Sequence, residues 1–599
     1  MTVSKPELVG TLGAVASTHW LASAAGMAML TEGGNAFDAA VAAGFVLQVV
    51  EPQSNGLGGD LSVVLYDART AATAVVCGQG PMPAAATEQA FAELGLEHIP
   101  GSGLLPACVP GAFGGWLRLL AEFGTKRLAD VFAAAIGYAE HGYPLLPEAA
   151  KAIATLAPLF STHWPGSAAV YLRDGIPPAG HRMRNQELAN TLIRLLQTAE
   201  QASSDRLAQI EAARSAFYSG FVADAIDAFV RSTEVLDATG RRHRGLLAAE
   251  DLAAWQPSTE SPASVRYRDY SVHKPGLWTQ GPVFLQQLGV LAGFDLVAAG
   301  LGSGEYVHLV NEAAKLALAD REAWYGDPAF GVDRLPQLLE PNYLAQRRAL
   351  IGPLAIGCPV AGTLDGSQPR SMQVPQLPPP TGPDWLHQIH EGVPNLVLAA
   401  TAKSGDTCTV VAADRWGNLV AAVPSGGWLK SSPLIPGLGI SLGTRGQTMW
   451  LRAAGHPNAL APGKRPRTTL SPTVVLRDGA PQFAFGTPGG DRQDQWTLES
   501  MLAVTEFGLD LQLATEVTMF HTEHFPSSFA PHSCRPGVLT IEADADQATI
   551  TELRTRGHQV ALTPAGSLGK VCMVGVDRRS GFVRAAAGPR GRQAYAAAR

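Results

Sequence analysis

The chain has 599 residues, 46% hydrophobic and 16% charged, against about 25% charged in an average globular protein. So much apolar material buries a large core and excludes a disordered chain, and a net charge of −7 is the opposite of the basic surplus of a nucleic-acid binder. The uncharged stretches 99–117 and 275–294 are interrupted by Pro, Gly and Gln, so no membrane-spanning helix is expected.

The segment MTVSKPELVGTLGAVAS has one Lys and no apolar core of the kind a secretion signal carries. It points to a cytoplasmic protein. Residues 14–50 read as helices with small-residue packing, the first closed by Gly33-Gly34. A glycine-dense loop, EPQSNGLGGD (51–60), leads into a strand-like run, LSVVLYD. Residues 185–235 and 305–325 carry apolar positions near the 3.6-residue helical period. Between about 353 and 395 the chain turns Pro-rich, as in QLPPPTGPDW, and reads as a linker or mobile segment. From 396 onward short β-like runs alternate with tight turns: NLVLAAT, DTCTVVAAD, a WGN turn and LVAAV. TVVLRDGAPQFAFG (473–486) is a hairpin with Asp-Gly at its turn. A helix is expected from about Asp494 to Phe507.

Six cysteines (Cys77, Cys108, Cys358, Cys408, Cys534, Cys572) are scattered without metal-like spacing and read as free thiols. His387 and His390 lack a third ligand nearby, and His521 and His524 flank Glu523 without the HExxH order. No metal and no cofactor are expected. GISLG (439–443) matches the GxSxG pattern around Ser441, yet neither a strand before it nor a helix after it is apparent. SGDTCTVVAAD (404–414) is by itself only a small-polar loop entering a strand.

Four stretches taken together carry more. GAVASTHWLASAAGMAMLTEGGNAFDAAVAAGFVLQVVEPQSNGLGGD (13–60), EYVHLVNEAAKLALADREAWYGDP (305–328), DTCTVVAADRWGNLVAAV (406–423) and PGKRPRTTLSPTVVLRDG with FGTPGGDRQ (462–479, 485–493) resemble, in order and spacing, the gamma-glutamyltranspeptidase family, which includes cephalosporin acylases and other amidohydrolases. The resemblance implies an α+β N-terminal-nucleophile hydrolase: an αββα sandwich, two stacked antiparallel sheets between helical layers. It implies one chain that cuts itself between Asp406 and Thr407 into a large subunit, 1–406, and a small one, 407–599. Thr407 would be the nucleophile, with its freed amine as base; an α-amine has a reference pKa of about 7.7–8.0, suited to that task near neutral pH. Gly489 and Gly490 match the oxyanion-hole pair, Thr468 and Thr469 a hydroxyl pair that touches substrate, Ser425 a hydroxyl supporting the nucleophile, and Asn418 a turn residue. Asp60 and the Thr279–Gly281 loop would lie nearby.

Departures from the transpeptidase pattern bear on substrate. Gln79 stands where those enzymes use Arg, Gly427 where they use Asn, and Thr448 where they use an acid. The groups for a free glutamyl head are therefore largely missing, and loss of a bidentate cation is not conservative. Arg445 in LGTRG is a cation available to a differently placed carboxylate. The LGTRG, HPNALAPGKRP and TPGGDRQ stretches resemble acylase and oxamate amidohydrolase-like members, and the leading expectation is hydrolysis of a small-molecule amide through an acyl-enzyme. A γ-glutamyl hydrolase or transferase acting on glutathione-like compounds and an uncut non-catalytic scaffold are the rivals. Thr407 is preferred to Cys408 as nucleophile, since a second residue cannot use the new terminal amine. The split also divides charge: residues 407–599 sum to +5 and 1–406 to −12, which favours their association.

Overall fold

The computed structural model of the chain describes residues 4–370, 372–374, 376, 407–590 and 593–599. Two seven-stranded antiparallel sheets form its centre. The first runs, in spatial order, Leu8–Gly10, Phe582–Ala587, Cys572–Asp577, Ala480–Gly486, Thr473–Arg477, Tyr270–Lys274, Ala263–Tyr267. The second runs Tyr595–Ala598, Gly13–Ser17, Val410–Asp414, Leu419–Ser425, Asp60–Asp67, Ala72–Gly78, Ser258–Glu260. Both sheets therefore mix strands from before 370 with strands from after 407.

Side-chain alternation along each strand builds the layers. Val411 and Ala413 face the other sheet and share a core with Val64, Val474, Ala484 and Val574. Val410 and Ala412, one residue out of phase, face outward into a larger core with Val41, Phe45, Phe113 and Trp116 of the covering helices. On the far side, Val475, Phe483 and Phe485 of the first sheet pack against Phe284, Leu288, Val310 and Leu502. The result is the expected αββα sandwich. Among the described residues no helix is long and apolar enough to cross a membrane.

The buried helix Ala36–Val50 starts at Asn35, whose side chain accepts from the Phe37 and Asp38 N–H groups while Asp38 reaches back to the Asn35 N–H, a reciprocal cap that satisfies otherwise orphaned donors. Its Gly44 is a packing requirement: an added Cβ would sit 2.3 Å from Trp116 Cζ2. The Asp-Gly hairpin forms as read, with Asp478 and Gly479 at φ 51° and 74°, the paired positive angles of a type I′ turn. At the WGN turn Asp414 accepts from the Trp416 and Asn418 N–H groups and Asn418 Nδ2 donates back to it at 2.8 Å.

One element differs from its sequence expectation. Gly13–Ser17 is a strand, not the start of a helix, and helices occupy Trp20–Thr31 and Ala36–Val50. It is buried on both faces, which removes the polar alternation that marks a strand in sequence. The helices of 185–235 and 305–325 appear as Gln186–Ala202, Arg206–Tyr218, Phe221–Ser232 and Gly304–Trp324. The first part of the Pro-rich segment lies against that last helix: Gly362 N–H donates to Asp320 Oδ1 and Trp324 Nε1 to the Gly362 carbonyl. NLVLAAT, His387, His390 and Asp406 lie outside the described residues.

Gly44→Ala is expected to lose about 1–3 kcal/mol by overpacking. Gly137→Ala, in the helix Leu128–His141 where an added Cβ meets nothing within 4 Å, is expected to gain up to about 1 kcal/mol. Denaturant midpoints of the two variants, moving in opposite directions, check the assignment.

Candidate functional site

The site begins at one end of the second sheet. Thr407 forms an antiparallel bridge with Ser425. Ser425 pairs with Asp60 across the next strand, and Leu61 pairs with Gly78, which precedes Gln79. Residues 407, 425, 60 and 79 thus form a row fixed by strand register. Thr407 is buried, and its Oγ1 lies 3.2 Å from Ser425 Oγ in a hydrogen bond.

Arg445 closes on this row. Its Nε and Nη2 donate to the two Asp60 oxygens at 2.5 and 2.9 Å, and its guanidinium lies 5.6 and 5.5 Å from the Trp428 and Phe529 ring centres. A bidentate pair flanked by aromatic faces compensates a charge that burial would otherwise make costly. Gly427, where transpeptidases use Asn, has φ 63°, and a Cβ there would come within 2.9 Å of the Gly59 nitrogen. The local backbone leaves no ordinary place for an Asn side chain.

The second half of the site comes from the first sheet. Gly486, at its strand's end, lies against the Thr407 strand: an added Cβ would meet Thr409 Cγ2 at 3.0 Å and Val423 Cγ2 at 3.2 Å. Three residues on, Gly489 and Gly490 have φ 138° and 58°, and a Cβ on Gly489 would lie 2.3 Å from Trp496. Gln280 ties this turn to the threonine pair. Its N–H donates to the Thr468 carbonyl at 2.9 Å and its Nε2 to the Gly490 carbonyl at 3.1 Å. Thr279 bridges Thr468.

Sequence reasoning assigned no role to Gln280, Arg321 or Asp491, although the ADR of 319–321 lay inside a quoted motif. Arg321, fully buried, donates to Gln280 Oε1 at 2.9 Å and to Asp491 Oδ1 at 2.6 Å. Burial pulls the Asp491 carboxyl up, but Arg321 and Ser528 outweigh it and hold it below the usual carboxylate range. The glycine turn is thereby anchored from below.

Four buried polar atoms around these elements have no partner within the described protein: Gln79 Oε1, Arg445 Nη1, Thr469 Oγ1 and Thr409 Oγ1. Such orphans are uncommon in a folded interior and call for an explanation. Here two donor-and-acceptor hydroxyls, one cationic donor and one amide acceptor are held without partners near Thr407 and the glycine turn.

Other candidates resolve differently. Ser441 lies in an irregular segment, with neither the strand nor the helix of a nucleophile elbow. His521, whose pKa burial lowers to about 4, bonds Glu523 at 3.3 Å, and His524 Nδ1 accepts the Gly537 N–H. Among the described residues one trio could hold a metal, His308, Glu312 and His558. Lys315 already engages both Glu312 oxygens, at 2.9 and 3.1 Å, and His308 Nδ1 bonds His558 Nε2 at 2.9 Å. All six cysteines are free thiols.

Two antiparallel sheets between helical layers, with a threonine at the head of a central strand, define the class of N-terminal-nucleophile hydrolases. The gamma-glutamyltranspeptidase family model matches residues 22–598. The acylase ACY 1 proenzyme of Pseudomonas sp. (strain SE83) is 31% identical over 94% of this chain and 90% of its own length. The glutathione hydrolase proenzyme of Bacillus subtilis (strain 168) is 28% identical over 97% and 90%. Among solved structures, one described as LmbA2991HD is 47% identical with a TM-score of 0.92 over the whole of both chains, and cephalosporin acylase from Bacillus halodurans is 27% identical with a TM-score of 0.82 over 100% of this chain and 98% of that one. The chain belongs to the gamma-glutamyltranspeptidase family. It is an enzyme, a hydrolase on the N-terminal-nucleophile fold, and the proenzyme names of its relatives fit a precursor processed into two subunits.

The Asp60–Arg445 pair is open to a direct test. Arg445→Met leaves Asp60 buried and unpaired and is expected to cost about 3–5 kcal/mol, while Asp60→Asn with Arg445→Met recovers a large part of it. Denaturant unfolding of the two single variants and the double variant measures the coupling.

Proposed function

We propose that the protein is an autoprocessed N-terminal-threonine amidohydrolase that hydrolyses a small amide through an acyl-enzyme. The observation that supports it is the buried Thr407–Ser425 hydroxyl pair in one strand row with Gln79 and the Arg445-paired Asp60, where Gln79 Oε1 and Arg445 Nη1 have no partner among the described residues. In the precursor, Thr407 Oγ attacks the Asp406 carbonyl carbon, the peptide nitrogen leaves as an amine, and water hydrolyses the ester. Cleavage yields an Asp406 carboxylate and a free amine on Thr407.

That amine then takes the hydroxyl proton as Oγ attacks the substrate's amide carbon. The Gly489 and Gly490 N–H groups stabilise the oxyanion, and one such donor is worth about 2.7–4 kcal/mol of barrier. The protonated amine passes its proton to the leaving nitrogen. Water, deprotonated by the same amine, attacks the ester, releases the acid and restores the hydroxyl. Thr468 and Thr469 line the substrate's path, Ser425 steadies the nucleophile, and Arg445 Nη1 takes a carboxylate oxygen of the acyl group beside Gln79.

The names of the relatives favour one second reading, hydrolysis or transfer of a γ-glutamyl group. Gln79 in place of Arg and the packed Gly427 weigh against it.

Purified wild-type protein is expected to run on a denaturing gel as two fragments divided before Thr407, and Thr407→Ala as one chain. A wild-type chain that stays whole on long incubation overturns the proposal. With γ-glutamyl, glutaryl and oxamate-type amides, turnover is expected for the latter two, and efficient release of glutamate supports the second reading instead. The rate should rise with pH as the terminal amine loses its proton, with a limb near its reference pKa of about 7.7–8.0; a rate flat from pH 6 to 9 contradicts the amine as base.

A further inference from the structure

The residue after Thr407 is held from the opposite side of the sheet. The Cys408 thiol donates to Glu51 Oε2 at 3.0 Å, and its sulfur accepts from Asn55 Nδ2 at 3.1 Å. Glu51 Oε2 also accepts the Thr18 hydroxyl at 2.6 Å, and Oε1 accepts Gln593 Nε2 at 2.9 Å. The carboxyl is fully buried, and burial raises its pKa above the ordinary value. It also stands at the C-terminal cap of the helix Ala36–Val50, the end where the helix dipole disfavours an acid. An acid in so unfavourable a place, with three donors from three separate stretches of chain converging on it, has a task beyond filling space.

The main chain around it shows which task. Cys408 N–H donates to the Pro424 carbonyl, and Thr18, whose hydroxyl bonds Glu51, donates its own N–H to the Thr409 carbonyl. Residues 407–409 are thus fastened by two ladder contacts and one side-chain clamp. Successive side chains of a strand point to opposite faces, so fixing Cys408 on the helix side sets the direction of the Thr407 hydroxyl on the other. Cutting before Thr407 would make these residues a chain end, and chain ends fray unless tied down.

We propose that Glu51 is a positioning residue of the reaction: acting through Cys408, it aims Thr407 and keeps the newly made chain end in the sheet. This rests on Thr407 as the nucleophile. A nucleophile displaced by about 1 Å loses on the order of a hundredfold in rate, which sets the scale of the effect.

The rate of fragment formation on a denaturing gel tests it without knowledge of the substrate. Cys408→Ala is expected to cut about tenfold to a hundredfold more slowly, and Cys408→Ser, which keeps a donor toward Glu51, within about twofold of wild type. Glu51→Ala should slow cutting at least as much as Cys408→Ala does, and adding Cys408→Ala to it should slow cutting no further, since the contact between the two side chains is then already gone. Asp237→Ala, which removes the buried Asp237–His243 contact of 2.7 Å elsewhere in the fold, serves as the stability control and should lower the melting temperature without slowing the cut. Should Glu51→Ala fail to fold, the Cys408→Ala and Cys408→Ser comparison stands alone. Cutting of Cys408→Ala at the wild-type rate, or equal slowing by Ala and Ser, overturns the inference. A Thr407→Ala chain that still cuts overturns the nucleophile itself, and the two failures are thereby told apart.

Discussion

The antiparallel register across four strands of the second sheet is the constraint on which the rest depends. Thr407 and Ser425 lie hundreds of residues from Asp60 and Gln79 in the chain, and only the pairings Thr407 with Ser425, Ser425 with Asp60 and Leu61 with Gly78 bring the four into one row. A slip of one residue would turn every side chain to the wrong face. Two features hold the register: the Asp414–Asn418 turn, tied to the start of the helix Ala36–Val50 by the Ala36 N–H, and the alternation of Val410 to Ala413 between two separate cores.

Upon that row the site sets an unusual electrostatic balance. A buried carboxylate at the edge of the nucleophile's pair is neutralised by Arg445, and the arginine still has one nitrogen uncommitted. The pair resembles a loaded arm: two contacts fix the guanidinium plane and leave the third direction defined. On the other half, Arg321 and Asp491 do the corresponding work for the glycine turn, so each half of the site is held by an ion pair with a buried arginine.

Much of this was legible in the sequence. The hairpin at Asp478-Gly479 and the helix ending in ADREAW follow from local chemistry and spacing, and the αββα layering and the threonine at the head of its strand follow from the family likeness. Gly13–Ser17 was read as helix because a strand buried on both faces shows small residues without alternation. The partner of Arg445 was hidden for another reason: Asp60 lies 385 residues away, and no local pattern reports a contact made by sheet assembly. The Thr279–Gly281 loop is expected near the site, but the roles of Gln280, Arg321 and Glu51 are not legible there, each acting through a side chain that only the tertiary fold brings near.

The mixed ancestry of the sheets has a consequence for the life of a cut molecule. Gly13–Ser17 is flanked on both sides by strands from after residue 407, and the four central strands of the first sheet that come from after 407 are flanked on both sides by strands from before 370. A break before Thr407 would therefore create two polypeptides that interlock like the fingers of clasped hands. Neither can withdraw without tearing ladders in both sheets. Pieces of different molecules would have no low-energy route to trade places, and an enzyme cut there would keep for life the two halves that were synthesised together.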